Sequence, residues 1–438
     1  MKRREFFKTA AAAAGLTVIP IRAQTPGRKL NLAAVGTGGM AQHDLKNMLD
    51  ENFVAFCDVD QRSLKWCREK FPDAKYYTDF RVMLKEVHDL VDAVTVIVPD
   101  HLHATIATEV MKYKKAVFCE KPLARTVAEA RMMARRAKET GVITQMGNQG
   151  HSSNEIRLLK EFLEDGAIGT VLEVHAWCYF APRYYYPDPA KLAETVEAPK
   201  ELDWTLWQGP VPERKYHNEC VPQKWRSWYP YGGGIIADWV CHVIDPVFWG
   251  LDLGLPKAVT ADVDDPVKNP ELYPHGVKLK FEFEKDGKPL VIYWYDGSYQ
   301  VPRPAELETD REFKTVGGAG AYLIGEKGTI LHGSHGAGGM RIIPEAKMQA
   351  YKRPAQKYPR IKEGHYKNFL NAVRENHPAG SPFEYGARLT EVGLLGVIAS
   401  RIPGKRLLYD SEGMRFTNSE EATRLLHPVF REEWKLDC

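Results

Sequence analysis

Short apolar runs, each stopped by a polar or glycine-containing turn, mark the first third of the chain. They are Leu32-Ala33-Ala34-Val35, Phe53-Val54-Ala55-Phe56-Cys57, Ala93-Val94-Thr95-Val96-Ile97-Val98, Ala116-Val117-Phe118-Cys119 and Val142-Ile143-Thr144-Gln145-Met146. Helical patterns separate them. Continuous apolar strands alternating with helices predict a parallel, doubly wound sheet with both faces covered. After about residue 150 the pattern changes. A helix is expected over 154–165 and a long strand over 170–180. A loop region rich in Trp, Tyr and Pro follows, to about Tyr231. Residues 277–283 and 290–295 alternate with period 2, which predicts a sheet with one covered face. A turn and strand are expected over 325–331, and helices over 366–375 and 387–400.

The chain has 438 residues, for which two domains are the natural division. The expected fold class is α/β: an N-terminal Rossmann-type domain over 28–150, then an α+β domain with a large, mostly antiparallel open sheet over 151–438. The formal net charge of +3 gives no reason to expect a nucleic-acid or membrane partner. The first 25 residues are read as a signal peptide. Arg3-Arg4-Glu5-Phe6-Phe7-Lys8 precedes an apolar run from Thr9 to Pro20, then Ile21-Arg22-Ala23. The run is too short to span a bilayer, and the paired arginines match a twin-arginine export signal. An ordinary secretory signal or a buried helix is the alternative. No cysteine follows the run, so no lipid anchor is expected. The seven cysteines are odd in number and form no C-x-x-C, so they do not make a disulfide framework. Export by the twin-arginine route to the periplasm reconciles this, because such proteins fold, and load cofactors, in the reducing cytoplasm.

Gly36-Thr37-Gly38-Gly39-Met40-Ala41 fits G-x-G-x-x-A between a strand and a helix. Glycines there allow a tight turn and close approach of backbone to a pyrophosphate. Asp58 ends the next strand 22 positions after Gly36. A carboxylate there accepts hydrogen bonds from a ribose diol and repels a 2′-phosphate, which favours NAD over NADP. Three more clusters stand at strand ends: Pro99-Asp100-His101-Leu102-His103, Glu120-Lys121-Pro122 and Gln145-Met146-Gly147-Asn148-Gln149. Each alone fits a solvated loop. Their shared position is where ligands bind in open α/β sheets. In Gly232-Gly233-Gly234 followed by Asp238 and His242, the last two are four apart and share one face if the stretch is helical. No metal centre is expected.

These motifs together resemble the Gfo/Idh/MocA family, which includes glucose–fructose oxidoreductase and inositol dehydrogenase. The resemblance extends through Ile324-Gly325-Glu326-Lys327-Gly328-Thr329-Ile330 and Tyr385-Gly386-Ala387-Arg388-Leu389-Thr390-Glu391-Val392. It implies that Lys121 and His242 transfer protons, with Asp238 orienting or relaying. It implies cofactor contacts from Gly36, Gly38, Gly39, Met40, Asp58, Pro99, His103, Glu120, Lys121 and Asn148. The substrate side is expected to use Trp225, Arg226 and Tyr231 with Asp238 and His242. Aromatic rings suit the C–H-rich faces of sugars; packing of an interdomain core is the alternative for the tryptophans. The implied enzyme is an NAD(P)-dependent oxidoreductase acting on a carbohydrate hydroxyl, with tightly retained cofactor and pairing of copies through the open sheet. The alternatives are an NAD-dependent glycoside hydrolase of the family 109 type, against which intact Glu120-Lys121-Pro122 argues, and a non-catalytic sugar-binding module.

Overall fold

The computed structural model describes residues 27–436, apart from 181–184, 189–190, 193, 195, 265–269 and 314–317. The expected signal peptide and Cys438 lie outside the described residues.

Six short strands form the first sheet: β1 (Asn31–Val35), β2 (Asn52–Cys57), β3 (Lys75–Tyr77), β4 (Ala93–Val96), β5 (Ala116–Glu120) and β6 (Thr144–Gly147). All pairs are parallel, in the order β3-β2-β1-β4-β5-β6. β1 and β4 sit centrally, and the described strand residues there are almost all buried, as the unbroken apolar runs require. The helices between strands start where caps allow. Thr126 Oγ1 accepts from Glu129 N and donates to Glu129 Oε2, a capping box opening the helix Val127–Thr140.

Nine strands form the second sheet: β7 (Val171–Cys178), β8 (Ala258–Val263), β9 (Val277–Lys285), β10 (Lys288–Asp296), β11 (Ala319–Gly325), β12 (Thr329–Gly333), β13 (Arg341–Ile343), β14 (Leu407–Asp410) and β15 (Arg415–Phe416). The order is β13-β12-β11-β7-β10-β9-β8-β14-β15, antiparallel except for β7 beside β10. Alternation decides the faces. Val174, Ala176, Phe281, Ile292 and Leu323 point into the core under the helices Gly234–Val243 and Phe383–Arg401. Trp177, Tyr295 and Tyr322 form a separate aromatic cluster on the other face, with His175 stacked between Tyr293 and Tyr322.

The two sheets are bound together by late elements. The helix His365–Glu375 returns to the first sheet, where Tyr366, Phe369 and Leu370 join Leu32, Phe56 and Phe118 in one core. In the helix Phe383–Arg401, Glu391 pairs with Arg131, and Thr390 Oγ1 accepts from Leu123 N at 3.2 Å. On the far side, residues 59–61 meet 201–203 as backbone partners. Gln61 N donates to Glu201 O at 3.0 Å and Asp203 N donates to Val59 O at 2.9 Å. Among the described residues no helix is long and apolar enough to cross a membrane.

Candidate active site

The cofactor side is built from the ends of the parallel strands. After β1 the chain turns at Gly36, whose φ is 87°. A Cβ there would strike the carbonyl oxygen of Ile97, beyond the end of β4. At Gly38 a Cβ would stand 2.7 Å from Ser63 Oγ. Gly39, with φ 53°, opens the helix Met40–Lys46 into free space. The turn thus presents bare backbone, and Met40 beside it is exposed. This is the cradle a dinucleotide pyrophosphate fits.

Asp58 ends β2 and points back at this turn. Its Oδ2 accepts from Thr37 N at 2.8 Å and Thr37 Oγ1 at 3.0 Å, and its Oδ1 from Asp60 N at 2.9 Å. Burial raises its pKa against the pull of those hydrogen bonds. The neighbouring cation Arg62 is closed onto Asp60, at 2.7 Å.

Pro99 caps the helix Asp100–Lys112. His103 on that helix is buried, with Nδ1 2.7 Å from Pro122 O and Nε2 2.8 Å from Val98 O. Burial lowers its pKa to about 4. Neutral at pH 7, it has one N–H to give, to either Pro122 O or Val98 O, and packs between the Lys121-Pro122 turn and the segment after β4. Glu120 Oε1 accepts from Gln149 Nε2 at 3.0 Å, and Oε2 from Lys121 N at 3.2 Å. Glu120 also faces Asp44, which accepts from Tyr366 OH at 2.6 Å. Burial raises both carboxyls, and the charge of Asp44 pushes Glu120 further up. Asp44 Oδ2 is buried without a donor; one proton on Glu120, shared with Asp44, supplies it. Asn148 is fully buried and gives Nδ2 to Asp245 at 3.2 Å. Asp245 accepts only, so the amide is fixed and Oδ1 is left without a donor, free for a ligand amide.

The substrate side begins at the glycine run. Gly234 has φ 66° and lies against the ring of Tyr273, where a Cβ would collide. The helix Gly234–Val243 starts there, and Asp238 and His242 fall one turn apart. Lys121 Nζ, from the end of β5, is ion-paired with Asp238 Oδ1, and both side chains are almost closed to solvent, 11% and 13% exposed. Asp238 Oδ2 accepts from Tyr185 OH at 2.5 Å and lies 3.5 Å from Arg226 Nε. Trp239 Nε1 donates to the same Tyr185 oxygen at 2.8 Å. Burial opposes the charge on Asp238, but Lys121 and Arg226 hold its carboxyl well below the usual range. Burial likewise opposes the charge on Lys121, and Asp238 and Glu120 outweigh it, so the ammonium is held above its ordinary pKa. His242 is driven well below its ordinary value, by burial first and then by Lys121 and His335. Its Nδ1 has no partner. Asp100 is pushed up to about 8 by burial and by Asp238. At pH 7 the site therefore holds an ammonium, a carboxylate and a neutral imidazole side by side.

Of the expected sugar-binding residues, Arg226, Asp238 and His242 converge here. Tyr231 is 1% exposed, packed against His101 and Trp207, and Trp225 is buried beneath the Arg226 guanidinium. Their rings occupy a packed aromatic core, the place the packing alternative gave the tryptophans. Sequence reading missed Asp44, Tyr185, His335 and Tyr366. Only His335 had a local signal, the run Gly333-Ser334-His335-Gly336-Ala337-Gly338-Gly339.

Comparison with known proteins agrees with this architecture. Residues 30–148 match the model of the Gfo/Idh/MocA oxidoreductase family, NAD-binding Rossmann fold, and residues 152–302 match that family's C-terminal alpha/beta domain. Myo-inositol 2-dehydrogenase of Thermotoga maritima is 31% identical over 140 residues, covering 32% of this chain and 41% of that enzyme. Levoglucosan dehydrogenase of Pseudarthrobacter phenanthrenivorans is 34% identical over 82 residues, 19% of this chain and 21% of that enzyme. The match spans about half or less of the length of these curated relatives. Among solved structures, the WlbA dehydrogenase of Bordetella pertussis in complex with NADH and UDP-GlcNAcA superposes with a TM-score of 0.59 at 18% identity, covering 87% of this chain and 99% of that one. Aldose-aldose oxidoreductase of Caulobacter crescentus gives 0.57 at 17% identity, covering 87% and 100%.

Proposed function

The chain belongs to the Gfo/Idh/MocA family of oxidoreductases, with an NAD-binding Rossmann domain, and from that premise we propose that it oxidises or reduces a carbohydrate at a hydroxyl-bearing carbon. The observation that carries the reading is the Lys121–Asp238 ion pair set against a neutral His242 whose Nδ1 is buried without a partner. The residues at the cradle fit the cofactor: Gly36 to Gly39 for pyrophosphate, Asp58 for a ribose, Asn148 Oδ1 for an amide donor. Bound there, a nicotinamide supplies or accepts the hydride. The ammonium of Lys121 stabilises negative charge on the substrate oxygen. In oxidation the hydroxyl proton passes to neutral His242, and in reduction the same proton returns from His242 to the new alkoxide, while the Lys121 ammonium stabilises the oxyanion in both directions. Asp238 keeps Lys121 charged, so Lys121 acts as a fixed cation and His242 carries the proton. Activity on inositol and levoglucosan, in the names of the relatives, and a sugar nucleotide beside NADH in a structural neighbour support the carbohydrate class.

NAD is preferred over NADP in this proposal, because Asp58 and Asp60 would face a 2′-phosphate while Arg62 is already paired. Export by the twin-arginine route and pairing of two copies through the open face of the second sheet complete it. Replacing Arg3 and Arg4 by Lys should hold the folded protein in the cytoplasm, and light scattering reads the pairing. The decisive experiment identifies the cofactor released on denaturation by mass, then screens sugars, polyols and glycosides in single turnovers. A stoichiometric change in nicotinamide absorbance is expected. Release of an aglycone with no net change would establish the hydrolytic alternative, and binding without turnover of any compound would establish the binding module.

A further inference from the structure

His335 stands in a backbone conformation that its residue type does not favour. Its φ and ψ are 57° and 55°, and Gly336 follows with φ 88°. A left-handed conformation at a non-glycine residue costs on the order of 1 kcal/mol or more. The surrounding structure fixes it. Gly150 lacks the Cβ that would strike the His335 backbone. Ser153 Oγ donates to Gly336 O at 2.8 Å, and Gly333 N donates to Gly338 O at 2.8 Å. Glycine would satisfy this backbone better, and the side chain keeps an exposed edge while one face of its ring is covered by His242.

What the position achieves is to lay the imidazole over the active site. The ring stacks on His242 with centroids 4.1 Å apart and planes at 20°, and meets Trp239 edge-on at 5.5 Å. Ser334 Oγ engages Nδ1 at 2.9 Å, which leaves Nε2 available to a ligand. Burial and Lys121 lower its pKa, so at neutral pH it is an uncharged ring that adds no cation beside Lys121. In the reaction proposed above His242 meets the reacting hydroxyl, so a ring stacked 4.1 Å from it stands beside that position.

We propose that His335 is a specificity-determining, substrate-contacting residue that hydrogen-bonds the hydroxyl next to the one oxidised, so that the enzyme selects a vicinal diol of one configuration. This rests on the oxidoreductase reading above. The aromatic edge of Trp239 and the two stacked imidazoles form one wall against the sugar, and the polar end of that wall is His335 Nε2.

The test compares a sugar or polyol that the wild type oxidises with its analogue lacking the adjacent hydroxyl, and with the epimer at that carbon. His335→Gly removes the ring and suits the backbone; His335→Asn keeps a short hydrogen-bonding group and also tolerates a positive φ. In the wild type, kcat/KM for the deoxy analogue should be about ten- to a hundredfold lower, the cost of leaving a polar group unmatched. In His335→Gly that ratio should fall towards one, through loss on the full substrate and mainly in KM. Cofactor retention and thermal midpoint should stay at wild-type values, and His335→Asn should restore part of the discrimination. Undiminished discrimination by His335→Gly would overturn the proposal while leaving the oxidoreductase reading intact. A wild type that oxidises no compound in the panel would overturn that reading itself.

Discussion

The two sheets contribute to one cleft in different ways. The first supplies its groups from the ends of parallel strands: the Gly36 turn, Asp58, Lys121 and Asn148 follow a strand directly, Glu120 closes β5, and His103 stands on the first turn of the helix after β4. The second supplies little from its strands. Tyr185 and Arg226 come from the long excursion between β7 and β8, Asp238 and His242 from a helix within it, and His335 from a loop after β12. A parallel sheet aligns all its strand ends at one edge, so a ligand there meets groups spaced regularly along the chain. An antiparallel sheet turns its chain back at both ends, so a site beside it is assembled from loops that happen to reach. The first arrangement recognises a constant ligand; the second is free to vary with the substrate.

Lys121 is the residue that crosses between them, and removing it should have the largest effect. Lys121→Ala should lower turnover by about 10² to 10⁴ with cofactor affinity little changed, as measured by single-turnover kinetics and retained nicotinamide. His242→Ala should act similarly, and the double variant should lose less than the product of the two. Loss of cofactor in Lys121→Ala would dissolve the division between the halves. The mirror-image test is Asp58→Ala, which should narrow the preference for NAD over NADP by about ten- to a hundredfold by relieving like-charge repulsion, with turnover on saturating NAD preserved. Tyr366→Phe tests the seam, since it strips the donor from a buried carboxylate. It should destabilise the protein by about 1–3 kcal/mol, read by denaturant titration, while Tyr229→Phe, whose hydroxyl meets Ser400 at 3.1 Å, should cost less.

The smallest effect concerns pH. Lys121, with its folded pKa raised, keeps its stabilising charge until the pH rises through that value. Asp238, with its pKa depressed, loses its contribution only when the pH falls through its folded value, below the ordinary carboxylate range. The pair is therefore constant across neutral pH. Asp100 is not, with a pKa of about 8. A modest fall in kcat/KM should appear as pH rises through 8, as Asp100 gains charge beside Asp238, and should vanish in Asp100→Asn. An unchanged pH profile in that variant would remove Asp100 from the account.

Legibility in the sequence follows the same division. Continuous apolar runs announced β1, β2, β4, β5 and β6 and, with them, the residues that follow. β3, with only Lys75–Tyr77 and no buried face, gave no such signal. Asp238 and His242 were legible because helical spacing joins them. Tyr185 and the Asp44–Tyr366 contact were not, because each depends on a close approach between segments far apart in the chain; the glycine run around His335 marked a turn but not the segment it meets. Trp225 and Tyr231 show the converse: composition drew attention to rings whose work is packing. The return of the helix His365–Glu375 to the first sheet is equally non-local, and no pattern within its own residues foretells it.

The backbone pairing of 59–61 with 201–203 acts as a latch. It stands within three residues of Asp58 and adds a second tie between the two domains, separate from the late helices. A swing that opened the ribose end would have to part these hydrogen bonds and draw Leu202 from the aromatic core around Trp207 and Trp225. Opening at that end therefore carries a double cost, in backbone hydrogen bonds and in apolar surface returned to water.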